Sequence, residues 1–451
     1  MPKIVLVGAG SLQFGTCMLG DLFQSRVLTT AEVVLNDINQ SAALRTLKVA
    51  QDFVADHNLD FSITAEPNLE KALANADFVV ISIEVGDRFA LWDQDWKIPQ
   101  QYGIAQIYGE NGGPGGLFHS LRIIPPILEI CEKVLQISPS ATVFNYSNPM
   151  SRICTTVHRK FPELNFIGIC HEIASLERFL PSILKTTIDN IKYRAAGLNH
   201  FSVMTEVSYK DSGKDAYGDV LQNAEAFFTA LPGYSEILSA KRASGTSVET
   251  EGWMEVDLSH IQDVRPWSDR WLFREIIARF GCFPITTDSH FGEYISWANE
   301  CSDHRGILDF YTYYRNFLGD SAPKIEPVLK ERVVPIMEGL VTDSGYEEAA
   351  VNIPNNGLIE DLPNWLVVEV PAIVSAQGIS GIKTPIPKGF QGLLTNQIGV
   401  HNMTAEAVLN ASKDAAIQAL MVDPVVTTAA QLPQLVDHMI AEQSPWLDYL
   451  G

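Results

Sequence analysis

The chain of 451 residues lacks both long apolar runs and clusters of basic residues. No stretch of about 18 consecutive apolar residues occurs, so the sequence predicts no membrane-spanning helix. Lys and Arg number 32 against 54 Asp and Glu, which gives a net charge of −22 at pH 7. Phosphate neutralisation requires clustered Lys and Arg, so we expect no nucleic-acid partner.

Cysteine is also scarce, and the six cysteines are scattered without a Cys-x-x-Cys pair. This pattern indicates reduced thiols in a cytosol rather than a disulfide framework. The first ten residues, MPKIVLVGAG, contain too short an apolar run for a secretory signal and predict a first strand instead. We therefore expect a cytoplasmic protein. Apolar residues make up 46% and charged residues 19%, which is typical of globular domains.

Short apolar strands alternate with helices through the first part of the chain. This alternation predicts an α/β fold with a Rossmann-like, doubly wound parallel sheet. The pattern changes near residue 190, so we expect two domains, 1–190 for dinucleotide binding and 191–451 as an α+β substrate-binding and catalytic domain. Two segments, 84–116 and 320–360, are rich in Gly, Pro or polar residues and predict irregular loops. The predicted strands of the first domain are 3–7, 32–36, 61–63, 77–83, 141–145 and 165–169.

A glycine-rich turn follows the first predicted strand. The segment GAGSLQFG contains Gly8, Gly10, Ser11 and Gly15, with the third glycine later than in the standard GxGxxG pattern. Glycines here let the backbone approach a pyrophosphate at a helix N-terminus. Asp37 ends the second predicted strand, where a carboxylate accepts hydrogen bonds from a ribose and favours NAD over NADP. The combination favours dinucleotide binding over a tight turn without a ligand.

Three polar residues follow other predicted strand ends. Asn148, in YSNP, would lie at the ligand-binding edge of the sheet, although on this motif alone a helix N-cap is the favoured interpretation. Cys170 begins CHE, and His200 ends GLNH thirty residues later. A thiolate and an imidazole can hold a catalytic divalent metal and leave positions open for substrate oxygens. On residue type alone, a buried cysteine and a core histidine are the simpler interpretation.

Two further segments concentrate glycines or ionisable groups. The segment GENGGPGG at 109–116 follows Arg88 and suits either backbone contacts to a ligand or a mobile connection. The segment TDSHFGEY at 287–294 contains carboxylates and a tyrosine that could act as a general base. The alternative for this second segment is a capped helix start.

Taken together, these features resemble glycoside hydrolase family 4, the NAD- and metal-dependent glycosidases. The resemblance covers essentially the whole chain and implies a fold shared with lactate and malate dehydrogenases. The matching features are the GAGS turn, Arg88, GPGG at 113–116, SNP at 147–149, CHE at 170–172, GLNH at 197–200, NxGxIxDLPxxxVVEVP ending at Pro371, and ALMVDP at 419–424.

The resemblance also implies roles for individual residues. Cys170 and His200 would bind Mn²⁺ or another divalent transition metal. Asn148 and Arg88 would contact the substrate. The residues implied along the NAD site are Gly8, Gly10, Ser11, Gly15, Asp37 and Glu84.

The implied reaction oxidises the sugar at C3 by hydride transfer to NAD⁺. The C2 proton is then lost, the leaving group departs, water adds, and the hydride returns. Asp288 would be the base, with Tyr294 as the alternative. His171 or Glu172 would be the acid.

The substrate implied by Cys-His-Glu-Ile is an α-hexuronide, because family members with Cys-His-Glu-Val act on α-galacturonides. Arg265 or Arg270 would then supply a cation for the uronate. A neutral α-glucoside or α-galactoside is the alternative, and a homo-oligomer, dimer or tetramer, is expected. Two other hypotheses stay open, a 2-hydroxyacid dehydrogenase and a nucleotide-binding regulator without turnover.

Overall fold

The computed structural model describes residues 1–11, 14–230, 270–320, 324–326 and 331–451. Its first half is a parallel sheet in the strand order β3-β2-β1-β4-β5-β6, which is the Rossmann order and confirms the predicted fold class. The KIVLV run of β1 is buried along nearly all its length, as expected for a strand covered on both faces. These strands are β1 (Lys3–Val7), β2 (Glu32–Asn36), β3 (Ser62–Ala65), β4 (Phe78–Ile81), β5 (Thr142–Asn145) and β6 (Phe166–Gly168).

Helices connect the parallel strands and cover both faces of the sheet. The prediction of an irregular segment at 84–116 is wrong in its first part, because a helix capped by the Asp87 side chain begins at Arg88. The helices of this half are α1 (Phe14–Leu22), α2 (Gln40–Asp56), α3 (Leu69–Leu73), α4 (Arg88–Gln101), α5 (Gly113–Ile137), α6 (Met150–Lys160) and α7 (Ala174–Leu184).

The second half extends the same sheet with antiparallel strands in the order β6-β10-β11-β7-β8-β9, and β12 pairs with β11. The prediction of a loop-rich segment at 320–360 is wrong where it contains a helix and strand β10. The strands are β7 (Ile191–Leu198), β8 (Phe201–Tyr209), β9 (Phe283–Pro284), β10 (Tyr346–Pro354), β11 (Val367–Ser375) and β12 (Gly378–Gly381).

Ten further α-helices follow within the described ranges, and the last three of them pack on helices of the parallel half. None of the helices described is both long enough and apolar enough to cross a bilayer. They are α8 (Tyr217–Ala230), α9 (Trp271–Phe280), α10 (Asp288–Phe291), α11 (Ala298–Cys301), α12 (His304–Asp320), α13 (Val333–Thr342), α14 (Lys388–Thr395), α15 (Gln397–Leu409), α16 (Lys413–Val422) and α17 (Leu432–Glu442).

Candidate active site

A cavity of about 1190 Å³ lies along the carboxyl ends of the parallel strands. Gly8 and Asp37 line one part of it, and Cys170 and His200 line another. Ligands of open α/β sheets bind at this edge, so the fold itself brings the predicted strand-end residues to one place.

The glycine turn forms a close-packed cradle at the cavity wall. Gly8 has φ +89°, and a Cβ there would overlap the carbonyl oxygen of Ser82, so only glycine fits. The N–H of Gly10 donates to Asp37 Oδ2 (2.8 Å), and the N–H of Asn39 donates to Oδ1 (2.7 Å). The Asp37 carboxylate thus fixes the turn while remaining partly exposed at the cavity.

The other residues predicted along the dinucleotide site divide into two groups. Ser11 and Glu84 line the cavity. Gly15 does not: its Cα lies so close to Ala9 that a Cβ would overlap the Ala9 carbonyl oxygen. Gly15 therefore lets helix α1 approach the turn, and its place along the NAD site stays a prediction.

Cys170 and His200 come together from separate elements. Cys170 follows β6, and His200 occupies the turn of the hairpin β7–β8 with φ +61°, a left-handed conformation unusual for histidine. Cys170 Sγ lies 3.3 Å from His200 Nε2, and both side chains line the cavity. The prediction that these two residues meet agrees with the geometry.

The pair fits a shared metal ion. Cys170 Sγ and His200 Nε2 lie 3.3 Å apart, close enough for both atoms to bind one divalent ion. Asn148 Oδ1 and His200 Nδ1 are buried and lack hydrogen-bond partners in the described part of the chain. No group of three or more His, Cys, Asp or Glu residues suited to a metal occurs there, so the remaining ligands would come from substrate or solvent.

A buried glutamate, Glu369 of β11, fixes the turn that carries His200. Glu369 accepts hydrogen bonds from Asn199 Nδ2 (2.8 Å), Ser202 Oγ (2.9 Å) and Asn352 Nδ2 (3.3 Å). The VVEVP motif contains this residue, but sequence alone gave it no role. Its hydrogen bonds to Asn199 and Ser202 make it a support for the turn that carries His200.

Burial and neighbouring charges shape the ionisation of this site. Burial, with the neighbouring His290, lowers the pKa of His200 to about 3. Burial raises the pKa of the Cys170 thiol well above its usual range. Burial alone would raise the pKa of Glu172, but three nearby imidazoles outweigh it and lower that pKa to about 2.

A charge network centred on Arg88 forms the next part of the cavity wall. Arg88 donates to Glu110 Oε1 (2.8 Å) and to the Tyr314 hydroxyl (3.1 Å), and its Nε lies 3.5 Å from Glu84 Oε2. Two carboxylates therefore compensate one guanidinium. Glu110 lies in the GENGGPGG segment singled out from the sequence, but its partnership with Arg88 was not predicted.

His290 is a site residue that the sequence did not assign. Its ring stacks on that of His200 with 4.6 Å between centroids, and its Nδ1 lies 3.5 Å from Glu110 Oε2. It lines the cavity. His290 links the Cys170–His200 pair to the Arg88 network, and its place in TDSHFGEY was the signal that could have found it.

The structure does not support Asp288 or Tyr294 as the base. The Asp288 carboxylate is fully buried outside the cavity and accepts the N–H groups of Leu272 (2.7 Å) and Phe273 (3.2 Å) at the start of α9. The Tyr294 hydroxyl donates to the Asn199 carbonyl (3.4 Å), also outside the cavity. Burial raises the pKa of Asp288 to about 7, which suits a base, but reach to the substrate is the first requirement.

The other predicted polar residues are placed as follows. His171 and Glu172 line the cavity directly after Cys170, and the His171 side chain is 42% exposed. Arg270 does not line the cavity and lies over the rings of neighbouring aromatic residues. Arg265 lies outside the described residues. Arg270 therefore supplies no uronate-binding cation at the described cavity wall.

Comparison with known proteins gives a consistent result. Residues 3–186 match the family model described as family 4 glycosyl hydrolase, and residues 195–426 match that family's C-terminal domain. An α-glucosidase from Erwinia rhapontici is 63% identical over 449 residues, covering 99% of each chain. An α-galacturonidase from Bacillus subtilis is 27% identical over 456 residues, covering 94% of this chain and 93% of that protein.

The same fold occurs in a solved 6-phospho-α-glucosidase from gut microorganisms in complex with NAD and Mn²⁺. That structure has a TM-score of 0.77 at 17% identity and covers 99% of this chain and 98% of that one. The family models together span most of the chain, and they confirm the resemblance drawn from the motifs. The chain belongs to family 4 of the glycosyl hydrolases.

Proposed function

We propose that this glycoside hydrolase cleaves neutral α-glucosides with NAD and a divalent metal, of which Mn²⁺ is the best candidate. The observation that carries the proposal is the single cavity that joins the glycine cradle with the Cys170–His200 pair. The 63% identical relative is named an α-glucosidase, and a solved protein of the same fold holds NAD and Mn²⁺.

The residues of the cavity divide between the two cofactors. Gly8, Gly10, Ser11 and Asp37 would hold the dinucleotide, with Glu84 further along the wall. Cys170 and His200 would hold the metal. Bound NAD supplies a reversible hydride acceptor, and a bound divalent metal supplies Lewis acidity at the sugar oxygens.

Proton transfers are assigned to His171 and Glu172. Both side chains line the cavity next to Cys170, whereas Asp288 and Tyr294 lie outside it. Asn148, whose Oδ1 lacks a protein partner within the described residues, would accept a hydrogen bond from a sugar hydroxyl. His171, Glu172 and Asn148 thus surround the position where the sugar would meet the metal.

The charge of the cavity favours a neutral sugar over the α-hexuronide expected from the Cys-His-Glu-Ile motif. Arg88 is already compensated by Glu84 and Glu110, so within the described residues this guanidinium offers an anionic sugar no uncompensated positive charge. The modest identity of 27% to the α-galacturonidase, against 63% to the α-glucosidase, points the same way.

A substrate screen tests the proposal directly. Aryl α-glucoside, α-galactoside, α-galacturonide and α-glucoside 6-phosphate are compared in the presence of NAD⁺, Mn²⁺ and a thiol reductant. We expect the α-glucoside to be cleaved fastest, with exchange of a C2 deuterium into solvent. Cleavage that persists in EDTA without nucleotide would rule out the mechanism. Faster cleavage of the α-galacturonide than of the α-glucoside would rule out a neutral α-glucoside as the preferred substrate.

The proposal includes a cytoplasmic homo-oligomer and a division of roles between 1–190 and 191–451. Sedimentation of the purified enzyme measures the oligomeric state. A 2-hydroxyacid dehydrogenase is the second candidate considered, and net NADH formation with a hydroxyacid would favour it. The Cys170–His200 pair argues against it, because hydride exchange with a hydroxyacid needs no metal ligand.

A further inference from the structure

The segment 443–451 lies against the dinucleotide-binding half although it is remote from it in sequence. The match to the family's C-terminal domain ends at residue 426, before this segment begins. Leu447 and Leu450 are buried in the core cluster that includes β1, β4 and α5. The Tyr449 hydroxyl donates to the Leu121 carbonyl of α5 (2.8 Å). The segment is therefore packed onto the Rossmann-like half.

A buried polar cluster ties the start of this segment to the cavity wall. The fully buried Gln443 donates from Nε2 to Asp95 Oδ1 (2.7 Å) and accepts from an Arg122 guanidinium nitrogen (3.2 Å). Arg122 also forms an ion pair with Asp95 (2.6 Å) and lines the cavity. Moving the segment would break hydrogen bonds to buried charged groups, which fixes its position.

Trp446 is the residue through which this segment reaches the cavity. Its indole ring covers the loop after β4, where a Cβ built on Gly86 would lie 2.8 Å from the ring carbons. The indole is partly exposed and lines the same cavity as Gly8, Gly10 and Asp37. A fixed, partly exposed indole offers a flat apolar face to a planar ring or a ribose.

We propose that Trp446 belongs to the dinucleotide site and packs against bound NAD. The inference rests on the proposed NAD binding and extends it to a residue outside the matched family region. Stacking of an aromatic side chain on a base is a substantial contact, so loss of the indole is expected to raise the Kd for NAD⁺ about tenfold. Cys170 and His200, the proposed metal-binding pair, line another part of the cavity, so we expect loss of the indole to leave the affinity for Mn²⁺ unchanged.

Calorimetric titration with NAD⁺ compares the wild-type protein with Trp446→Ala and with Trp365→Ala. Trp365 is 36% exposed and does not line the cavity, so it is the matched control. Intrinsic fluorescence during an NADH titration supplies a second reading with Trp446→Phe, which keeps a ring but removes one of the eight indoles. We expect a weaker Kd only for Trp446→Ala and loss of most of the fluorescence change in Trp446→Phe.

The outcomes separate the two proposals. An unchanged Kd in Trp446→Ala together with an unchanged NADH-dependent signal in Trp446→Phe overturns the role of Trp446. Absence of saturable NAD⁺ binding by the wild-type protein overturns the proposed function itself. If circular dichroism shows that Trp446→Ala does not fold, the NADH-dependent fluorescence change of Trp446→Phe is the test of the role of Trp446.

Discussion

Replacing Asp288 by asparagine tests whether the carboxylate of this residue has a structural or a catalytic role. The carboxylate accepts the N–H groups of Leu272 and Phe273 at the start of α9, and all three residues are fully buried. Asparagine keeps one acceptor but turns an amide donor toward the other N–H. One buried N–H then loses its partner, at a cost of about 1–3 kcal/mol. The expected fall in Tm is about 1–3 °C for a chain of this length.

The activity of the same variant provides the decisive contrast. Removal of a general base lowers the rate by about 10²–10⁴-fold, whereas Asp288→Asn is expected to keep kcat within about tenfold. The assays are calorimetric unfolding, cleavage of an aryl α-glucoside with NAD⁺ and Mn²⁺, and exchange of a C2 deuterium. Glu172→Gln is the matched control and should lose both cleavage and exchange. If Asp288→Asn keeps the wild-type Tm but loses exchange, Asp288 is the base and the structural reasoning fails.

The pH dependence of stability adds an independent check on Asp288. Burial raises its pKa in the folded protein to about 7, above the value of about 3.9 in an unfolded chain. The stability contributed by this carboxyl is therefore present in full below about pH 4 and is lost as the pH rises through about 7. The Tm difference between wild type and Asp288→Asn should narrow from pH 5 to pH 8, and a widening difference would contradict the shift.

Three further predictions test the rest of the site. Cys170→Ser should lose Mn²⁺ binding, measured by electron paramagnetic resonance, while its Kd for NAD⁺ stays within about threefold of wild type. Glu369→Gln should weaken Mn²⁺ binding by about 10–100-fold although Glu369 does not contact the proposed metal position. An unchanged affinity for Mn²⁺ would show that Glu369 does not support the site. Glu110→Gln should remove one of the two carboxylates beside Arg88, which makes the cavity wall less negative, and should raise the ratio of kcat/KM for α-galacturonide over α-glucoside by about tenfold. A constant ratio in steady-state kinetics would show that this charge does not set specificity.

The parallel half of the fold was predictable because its signals are local. Each strand is a short apolar run, and the residues that end the strands share one edge of the sheet. Asp37, Asn148 and Cys170 were placed correctly at the cavity for this reason. Gly15 was not, because a glycine that permits contact with the cofactor and one that permits helix packing look alike in sequence.

The position of Asp288 shows where local patterns stop being informative. The TDSHFGEY segment crowds ionisable groups together, and the capping alternative expected a cap on a helix that starts within this segment. Asp288 instead caps another helix. The helix that it caps lies earlier in the chain, so the hydrogen bonds to Leu272 and Phe273 depend on tertiary structure. Conversely, His290 from the same segment reaches the cavity. Tertiary packing decides which of two neighbouring side chains faces a site, and the spacing of residues in the sequence does not predict that packing.

The Arg88 network was missed for a related reason. Arg88 was singled out as a substrate contact, but its charge was considered without its partners. Glu110 lies 22 residues away and Tyr314 lies 226 residues away, on α12. Only the folded arrangement shows that the guanidinium is compensated, and that compensation changes the expected substrate from an anionic sugar to a neutral one.

The meeting of Cys170 and His200 depends on strands that come late in the sequence. Strand β10 pairs with β6 through Asn352 and Gly168, and β11 pairs with β7 through Glu369 and Gly197. These two antiparallel strands bridge the parallel sheet and the hairpin that carries His200. Because one continuous sheet carries the strands before both residues, the separation of Cys170 and His200 depends on backbone hydrogen bonds between those strands. A metal bound by this pair, as proposed, would therefore be held in a fixed place within the cavity.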